Sequence, residues 1–416
     1  MKDWWAKLPA ILGAGQYVEE KGNMLVFPAS TGQVSSIVKL AHENNAKVVV
    51  KKSGAGANVR EPVLILDLSK MNEIIEVDKE NLTASVMSGI VLSTFQAKMK
   101  KQGFYFPPIS IWDYTSPMIE AIAANHTGLN TGRYGKWREY ILGVEAVLPT
   151  GEVLSVGGKN IKCVSGLDLM GLFIGSHSQL GIITRVLVRL LPKPKARKLL
   201  IASASSLLDA VNATNSLGPR GLLPARNEVI TSRLALEMQL PGIEKGQIAV
   251  LTEVEGFAES LQRQLAEIDV VYQKYGIKRR QIISEENEIE KSTKEPSPCV
   301  WSGYFSRAHA YPPTYSFTVL PAKTQLLIGI LDKAAGQAGI SHEMIIHCGV
   351  VAMDVFIDAQ DLSGLMQFEE MVLKELRLIG GRMAGEKIGI LSHIGELKQL
   401  EAGLRRLFDP HGIMVG

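Results

Sequence analysis

The 416-residue sequence predicts an α+β protein of more than one domain, and three observations carry that prediction. Between Met24 and Pro194, stretches of helical and strand periodicity alternate, with local hairpins as well as crossovers. Pro192-Lys193-Pro194-Lys195 then ends the apolar run Val186–Leu191 with prolines and charges, as a domain boundary does. Beyond it a second set of strands and helices begins, reading as a ferredoxin-like or antiparallel sheet with helices on one face.

The elements follow in order. Trp4, Trp5, Leu8, Ile11 and Leu12 have the spacing of a short amphipathic helix, suited to packing on its own domain or to a membrane-surface or partner contact. Val34, Ile37, Val38 and Ala41 recur at helical intervals, with Thr31 as the expected cap and Pro28 closing the strand before it. The valines at 48–50 read as a central strand, and Val63–Leu68 as the next one. Ile74, Ile75 and Val77, then Thr83, Ser85 and Met87, predict two strands about the turn at 79–81. A helix over Val91–Gln102 ends at Gly103, and Gly143–Leu148 with Val153–Val156 make a hairpin about Pro149-Thr150-Gly151-Glu152. In the second half, Leu261, Leu265, Ile268, Tyr272 and Tyr275 form a core stripe on a helix. The stretch Ser284–Pro298 reads as a solvated helix and loop. Phe317–Leu320 leads into a helix after Pro321. Strands at Met344–His347 and Val350–Ile357 precede a helix over Leu362–Leu378.

Composition narrows the function classes. The hydrophobic fraction is 46% and the charged fraction 21%, as in soluble globular proteins. A net charge of +3 without a basic patch argues against nucleic acid as a partner. Cys163, Cys299 and Cys348 are too scattered for a disulfide framework, an iron–sulfur cluster or a zinc site in this chain. No apolar run reaches bilayer length and no signal-peptide pattern opens the chain, so a cytoplasmic location is expected.

The small-residue loop Ser53-Gly54-Ala55-Gly56-Ala57-Asn58 lies between two strand-like runs. A dinucleotide fingerprint of the doubly wound type needs a helix directly after its glycines, and none follows here. Bare backbone N–H groups in such a loop can still converge on an anion; an ordinary glycine turn fits the residues as well.

Three further stretches, in this order and spacing, carry a resemblance. They are Pro28–Glu76 with Leu66-Asp67-Leu68-Ser69-Lys70-Met71-Asn72; Ala121-Ile122-Ala123-Ala124-Asn125-His126-Thr127-Gly128 followed by Arg133-Tyr134-Gly135; and Gly158–Leu169, Leu172–Ser176 and Leu180–Thr184. The chain resembles the FAD-binding vanillyl-alcohol oxidase (PCMH-type) superfamily, and within it D-lactate dehydrogenases and glycolate oxidase flavin subunits. Leu407-Phe408-Asp409-Pro410-His411-Gly412-Ile413 matches the C-terminal signature of that group. The resemblance implies a two-subdomain FAD-binding domain at 21–194, after an N-terminal segment at 1–20. It also implies a cap or substrate domain at 195–380, and a C-terminal helical segment at 381–416 that returns to the FAD domain.

It further implies that FAD lies between the subdomains, with Ser53, Gly54, Ala55, Gly56, Ala57 and Asn58 at its diphosphate. Ser116 and Asn125 would be small polar contacts, and Gly175, Ile182 and Ile183 would border the cofactor through their backbone. Close relatives hold FAD without a covalent bond. The catalytic motifs depart from the pattern. The family's His-x-Gly-Asp-Gly-Asn-x-His segment corresponds to His347-Cys348-Gly349-Val350-Val351-Ala352-Met353-Asp354, and its Gly-Glu-His-Gly to Gly385-Glu386-Lys387-Ile388-Gly389. One histidine supplies too few ligands for a metal site, so none is expected. Oxidising a 2-hydroxy acid needs a base for the hydroxyl proton and a cation for the carboxylate. His347, Lys387 and Arg382 are the candidates for these roles, beside His309, His393, Arg307 and Lys323.

The expected activity is an FAD-binding oxidoreductase subunit acting on a small 2-hydroxy acid of the glycolate or D-lactate type, within a complex. A homologous flavin subunit and an iron–sulfur protein would be its partners, and contact with the inner membrane would be peripheral, through them. The alternative is a non-catalytic, flavin-free structural subunit.

Overall fold

A computed structural model describes residues 3–51, 63–108, 115–125, 130–159, 167–284, 315–349, 352–358, 362–384 and 395–415. The chain divides into two compact units. The first comprises Met1–Gly128, Lys136–Lys193 and Leu391–Gly416; the second comprises Leu129–Gly135 and Pro194–Ile390.

The first unit holds two five-stranded sheets. One runs in the order Tyr17–Glu20, Asn23–Val26, Leu64–Leu66, Val48–Val50, Met414–Val415. Its first pair is an antiparallel hairpin, turned at Lys21 (φ 51°) and Gly22 (φ 78°), the two left-handed positions that a tight hairpin turn demands. The other pairings are parallel. The helix Thr31–Glu43 buries Val34, Ile37, Val38, Leu40 and Ala41. Its cap is Ser30 rather than the expected Thr31: Ser30 keeps an extended backbone and its hydroxyl accepts from Gln33 N. Thr31, already helical, turns its hydroxyl outward and donates to Glu145 Oε1 at 2.6 Å, fastening the helix to the second sheet.

That second sheet is antiparallel throughout, in the order Ile74–Asp78, Thr83–Met87, Ile182–Arg189, Ile141–Val147, Val153–Gly157. The helix Leu92–Lys101 ends as expected, with Gly103 at φ 83° donating its N–H to Lys100 O. The N-terminal aromatics are core: Trp4, Trp5, Leu8 and Leu12 are all buried.

The second unit is built on one eight-stranded antiparallel sheet. The order is Lys278–Ser284, Ala196–Ala204, Ile248–Gly256, Arg226–Ile230, Ser341–His347, Ala352–Asp358, Tyr315–Thr318, Arg382–Ala384. Alternate residues such as Leu200, Ala202, Val229, Val250, Ile346 and Val355 pack into one apolar core. The helices Leu207–Asn215, Ala258–Lys274, Thr324–Ala338 and Leu362–Leu378 supply the other half of that core, through Val211, Leu265, Leu331 and Phe368 among others. The helices therefore lie on one face, and the period of two sends the intervening residues to the other. Arg197, Arg226, Glu228, Glu253, Glu255, His347 and Asp354 stand on that second face, and all are buried.

Mixed helix and sheet with segregated layers make this an α+β protein, as expected. Among the described residues, no helix is long and apolar enough to cross a membrane.

Candidate cofactor and active site

In the first unit, the helix Met118–Ala124 organises four of the residues expected to meet a cofactor. At its N-terminus, Ser116 O accepts from Leu92 N, Met118 N donates to Ile90 O, and Ile119 N donates to Ser88 O. The Ser88 hydroxyl reaches in the opposite direction and donates to Ile183 O at 2.6 Å. The turn at Ser88–Ile90 thus joins the start of the helix to Ile183. Only glycine fits its middle, because a Cβ on Gly89 would lie 1.8 Å from Leu68 O.

At the other end, Asn125 closes the helix in the left-handed conformation (φ 48°). Gly175 N donates to Ile122 O and His177 N to Ala123 O, which lays the 175–177 segment against the helix C-terminus. Gly175 itself has φ 84°, and a Cβ there would stand 3.2 Å from Asn125 Cβ. Ile182 and Ile183 are fully buried, and Ile183 O accepts from the Ser88 hydroxyl. Glu120 sits in the first turn of the helix, where the dipole favours a carboxylate. The loop 53–58 lies outside the described residues.

The second unit places His347 at the centre of a buried polar cluster. Glu228 is its direct cross-strand neighbour, and Asp354 is opposite Ile345 on the next strand. His347 Nδ1 is hydrogen-bonded to Glu228 Oε2, and Nε2 lies 3.1 Å from Asp354 Oδ2. Ser316 donates its hydroxyl to the other Asp354 oxygen. Along the same face, Arg226 pairs with Glu253 at 3.6 Å and Arg197 with Glu255 at 2.8 Å, and Tyr134 donates its hydroxyl to Glu255.

Burial alone would favour neutral imidazole, but the Glu228 and Asp354 carboxylates outweigh it and push His347 up to about 10. Burial likewise pushes the Glu228 carboxyl up, against the pull of His347 and Arg226. At neutral pH both His347 nitrogens therefore carry protons and point at carboxylates. An imidazolium in that state has no lone pair to take a substrate proton. Burial also pushes the neighbouring Cys348 up to about 12, so it is a thiol.

Arg382 is exposed on the edge strand, paired in register with Thr318, and Lys323 is half-buried on the short Pro321–Lys323 turn. Lys387, Arg307, His309 and His393 lie outside the described residues. The structure thus sets His347 apart from Arg382, and adds residues that sequence reasoning passed over: Glu228, Arg226, Glu253, Glu255 and Arg197. Their signal was present as charges at intervals of two within strand-like runs, Arg226-Asn227-Glu228 and Glu253-Val254-Glu255.

Residues 23–157 match the FAD binding domain family. This segment is an FAD-binding domain. The chain is 31% identical to glycolate oxidase subunit GlcD of Bacillus subtilis, over 60% of this chain and 55% of that one. It is 33% identical to a D-lactate dehydrogenase of Archaeoglobus fulgidus, over 50% of this chain and 48% of that one. Glycolate oxidase subunit GlcD of Escherichia coli is 24% identical over 94% of this chain and 82% of its own length. In the first of these matches and the D-lactate dehydrogenase match, the chain spans only about half the length of its relative.

In fold, the chain is similar to alkyldihydroxyacetonephosphate synthase, with a TM-score of 0.79 at 15% identity over 99% of this chain and 84% of that one. P-cresol methylhydroxylase gives a TM-score of 0.78 at 18% identity, over 99% and 95%.

The residues of the FAD-binding domain fit the cofactor. Among the described residues, Asn125 Oδ1 is buried without a hydrogen-bond partner, an acceptor whose burial is costly until a donor reaches it. Gly175 beside it presents bare backbone. Ser116, held by the same helix, is a small buried hydroxyl. When bound, FAD supplies a two-electron acceptor. Helix Met118–Ala124 and the Ser88–Ile90 turn are the scaffold that would hold these residues toward the cofactor.

Proposed function

We propose that this chain is an FAD-dependent oxidoreductase subunit that takes part in oxidising a small 2-hydroxy acid of the glycolate or D-lactate type, and that it works in a complex. The reaction removes two electrons and two protons from the acid to leave a 2-oxo acid. The reading is supported by the match of residues 23–157 to the FAD binding domain family, and by the arrangement of Asn125, Gly175, Ser116 and Ile183 about one helix. Similarity to glycolate oxidase subunits and D-lactate dehydrogenases supports the substrate class.

The need for partners rests on His347. As a doubly hydrogen-bonded imidazolium it takes no proton from a substrate, which leaves His309 and His393 as the base candidates and Arg307, Lys323, Arg382 and Lys387 as the cationic ones for this chain's own site. A homologous flavin subunit would complete the chemistry and an iron–sulfur protein would carry the electrons onward, holding the assembly at the periphery of the inner membrane. The same histidine favours a second reading, a structural subunit without flavin.

Purification separates the two. The first reading expects a yellow protein that releases FAD on denaturation; a colourless protein without flavin affinity leaves the second. Anaerobic glycolate or D-lactate should then bleach the flavin once the partner subunits are present. Bleaching in the isolated chain would make it a catalyst by itself.

A further inference from the structure

In the first sheet of the first unit, the strands Asn23–Val26, Leu64–Leu66 and Val48–Val50 run parallel and so share one carboxyl edge. Ligands of parallel sheets gather beyond that edge, where strands give way to loops. Lys51 and Asp67 stand there side by side, each one residue past the paired Val50 and Leu66. Lys51 N donates to Leu66 O and Asp67 N to Val26 O, so the backbone ladder carries both residues in register. Their side chains form an ion pair, with Lys51 Nζ 2.7 Å from Asp67 Oδ2.

Asp67 turns its other oxygen toward the next element. Oδ1 accepts from Ser69 N at 3.0 Å and caps the short turn Leu68–Lys70. Burial would raise the Asp67 carboxyl, but the Lys51 and Ser69 hydrogen bonds outweigh it and hold it below the ordinary value. The carboxylate is therefore ionised at neutral pH. The carbonyls of Leu68 and Met71, on either side of that turn, are pressed against Gly89. The neighbours of Gly89 hold the start of helix Met118–Ala124: Ile90 O accepts from Met118 N, and Ser88 O from Ile119 N. One carboxylate thus links the end of the strand Val48–Val50 to the framework that carries Ser116 and Asn125.

Exposed ion pairs of this kind add little to stability. This one stands two residues before the small-residue loop 53–58, which the flavin reading sets at the FAD diphosphate. We infer that Lys51 and Asp67 are positioning residues for FAD, their ion pair fixing where the chain leaves the strand for that loop relative to the Asn125 framework. The inference rests on the FAD reading and goes beyond it by naming the pair that sets the loop.

A direct role for Lys51, as counter-ion to the diphosphate, gives the opposite sign at Asp67. Asp67→Asn would then free the ammonium and remove a repelling charge, and FAD would bind more tightly. As a positioning pair, loss of either partner weakens FAD.

Flavin-fluorescence titration of the FAD-free full chain reads this without turnover. Asp67→Asn, which keeps an acceptor for Ser69 N, and Lys51→Met should each weaken FAD about fivefold, and the double variant should be no weaker than either. Lys51→Arg keeps the cation and should bind FAD within about twofold of the unaltered chain. Arg279→Gln is the control, because it breaks an ion pair of matching exposure in the second unit. Arg279 and Asp269 are 53% and 18% exposed, against 45% and 14% for Lys51 and Asp67. It should leave FAD affinity unchanged, and all the variants should melt within a few degrees of the unaltered chain. Tighter binding by Asp67→Asn, unchanged affinity in both single variants, or an equal loss in Arg279→Gln would overturn the inference while the FAD reading stands. An unaltered chain that takes up no FAD would remove both.

Discussion

His347 is hydrogen-bonded through Nδ1 to Glu228, a residue 119 positions earlier that the sheet register sets directly opposite it. Neither side chain is more than 3% exposed. Asp354 closes the other side of the ring. The imidazole is thereby held between carboxylates, protonated, with a pKa raised from 6.5 to about 10.

The sign of the resulting pH dependence follows from linkage. A histidine whose folded pKa exceeds its unfolded value binds its proton more tightly when folded, so its stabilisation is complete below about pH 6.5 and is lost as pH rises through about 10. Denaturant titrations should show stability falling between those limits, with His347→Gln flattening that slope. The same substitution leaves Glu228 and Asp354 buried with no cation between them, and should cost about 3–5 kcal/mol at neutral pH. An imidazole resonance that titrates near 6.5 in the folded protein would refute the protonated state.

Asn125 offers a test of the cofactor contact that keeps the backbone intact. Its left-handed conformation is one glycine adopts freely, so Asn125→Gly removes the side chain without strain. Losing one hydrogen bond of about 1 kcal/mol should weaken FAD about fivefold in flavin-fluorescence titrations. Asn125→Ala adds the left-handed penalty and should weaken it further and lower the melting temperature. Unchanged affinity in both variants would remove Asn125 from the site.

How much of this was legible in the sequence depended on the range of the signal. The stripe Leu261, Leu265, Ile268 and Tyr272 is a periodic signal within one helix, and all four residues are core. Gly103 marks a helix end because the left-handed position after a helix favours glycine locally. The cap of the helix at 31–43 slipped by one residue, since Ser30 and Thr31 carry equivalent hydroxyls and only the backbone decides between them. The Glu228–His347–Asp354 cluster was out of reach because register is a long-range property. His347 was visible as a motif remnant, but its protonation state is set by a glutamate more than a hundred residues away.

Two glycines separate steric need from mere tolerance. Gly89 is pressed against the carbonyl of Leu68, with a would-be Cβ only 1.8 Å from that oxygen. Gly89→Ala must push backbone aside, and should cost about 3 kcal/mol or more, with falling soluble yield and flavin content. Gly336 lies on the exposed side of helix Thr324–Ala338 with open space where a Cβ would be. Gly336→Ala should therefore stabilise by about 0.5–1 kcal/mol in chemical denaturation. The opposite signs make the pair informative: equal effects would contradict the close approach at Gly89.

The C-terminal strand is fastened by one carboxylate. Asp409 accepts Ile413 N through Oδ1 at 2.9 Å and Met414 N through Oδ2 at 2.7 Å, while Lys47 Nζ donates to Gly412 O at 2.6 Å. These contacts set Met414 and Val415 in parallel register with Val48 and Val49, covering what would otherwise be the edge of the sheet. Asp409→Ala removes both charge-assisted hydrogen bonds and should cost about 2–4 kcal/mol. Deleting residues 409–416 does more than lose that energy. It bares a valine strand with unpaired backbone groups, a template for pairing with other chains. The truncated protein should therefore aggregate in light scattering at temperatures where Asp409→Ala is still folded and monodisperse. If truncation and point substitution gave the same melting temperature and the same scattering, the strand would contribute nothing beyond its anchor.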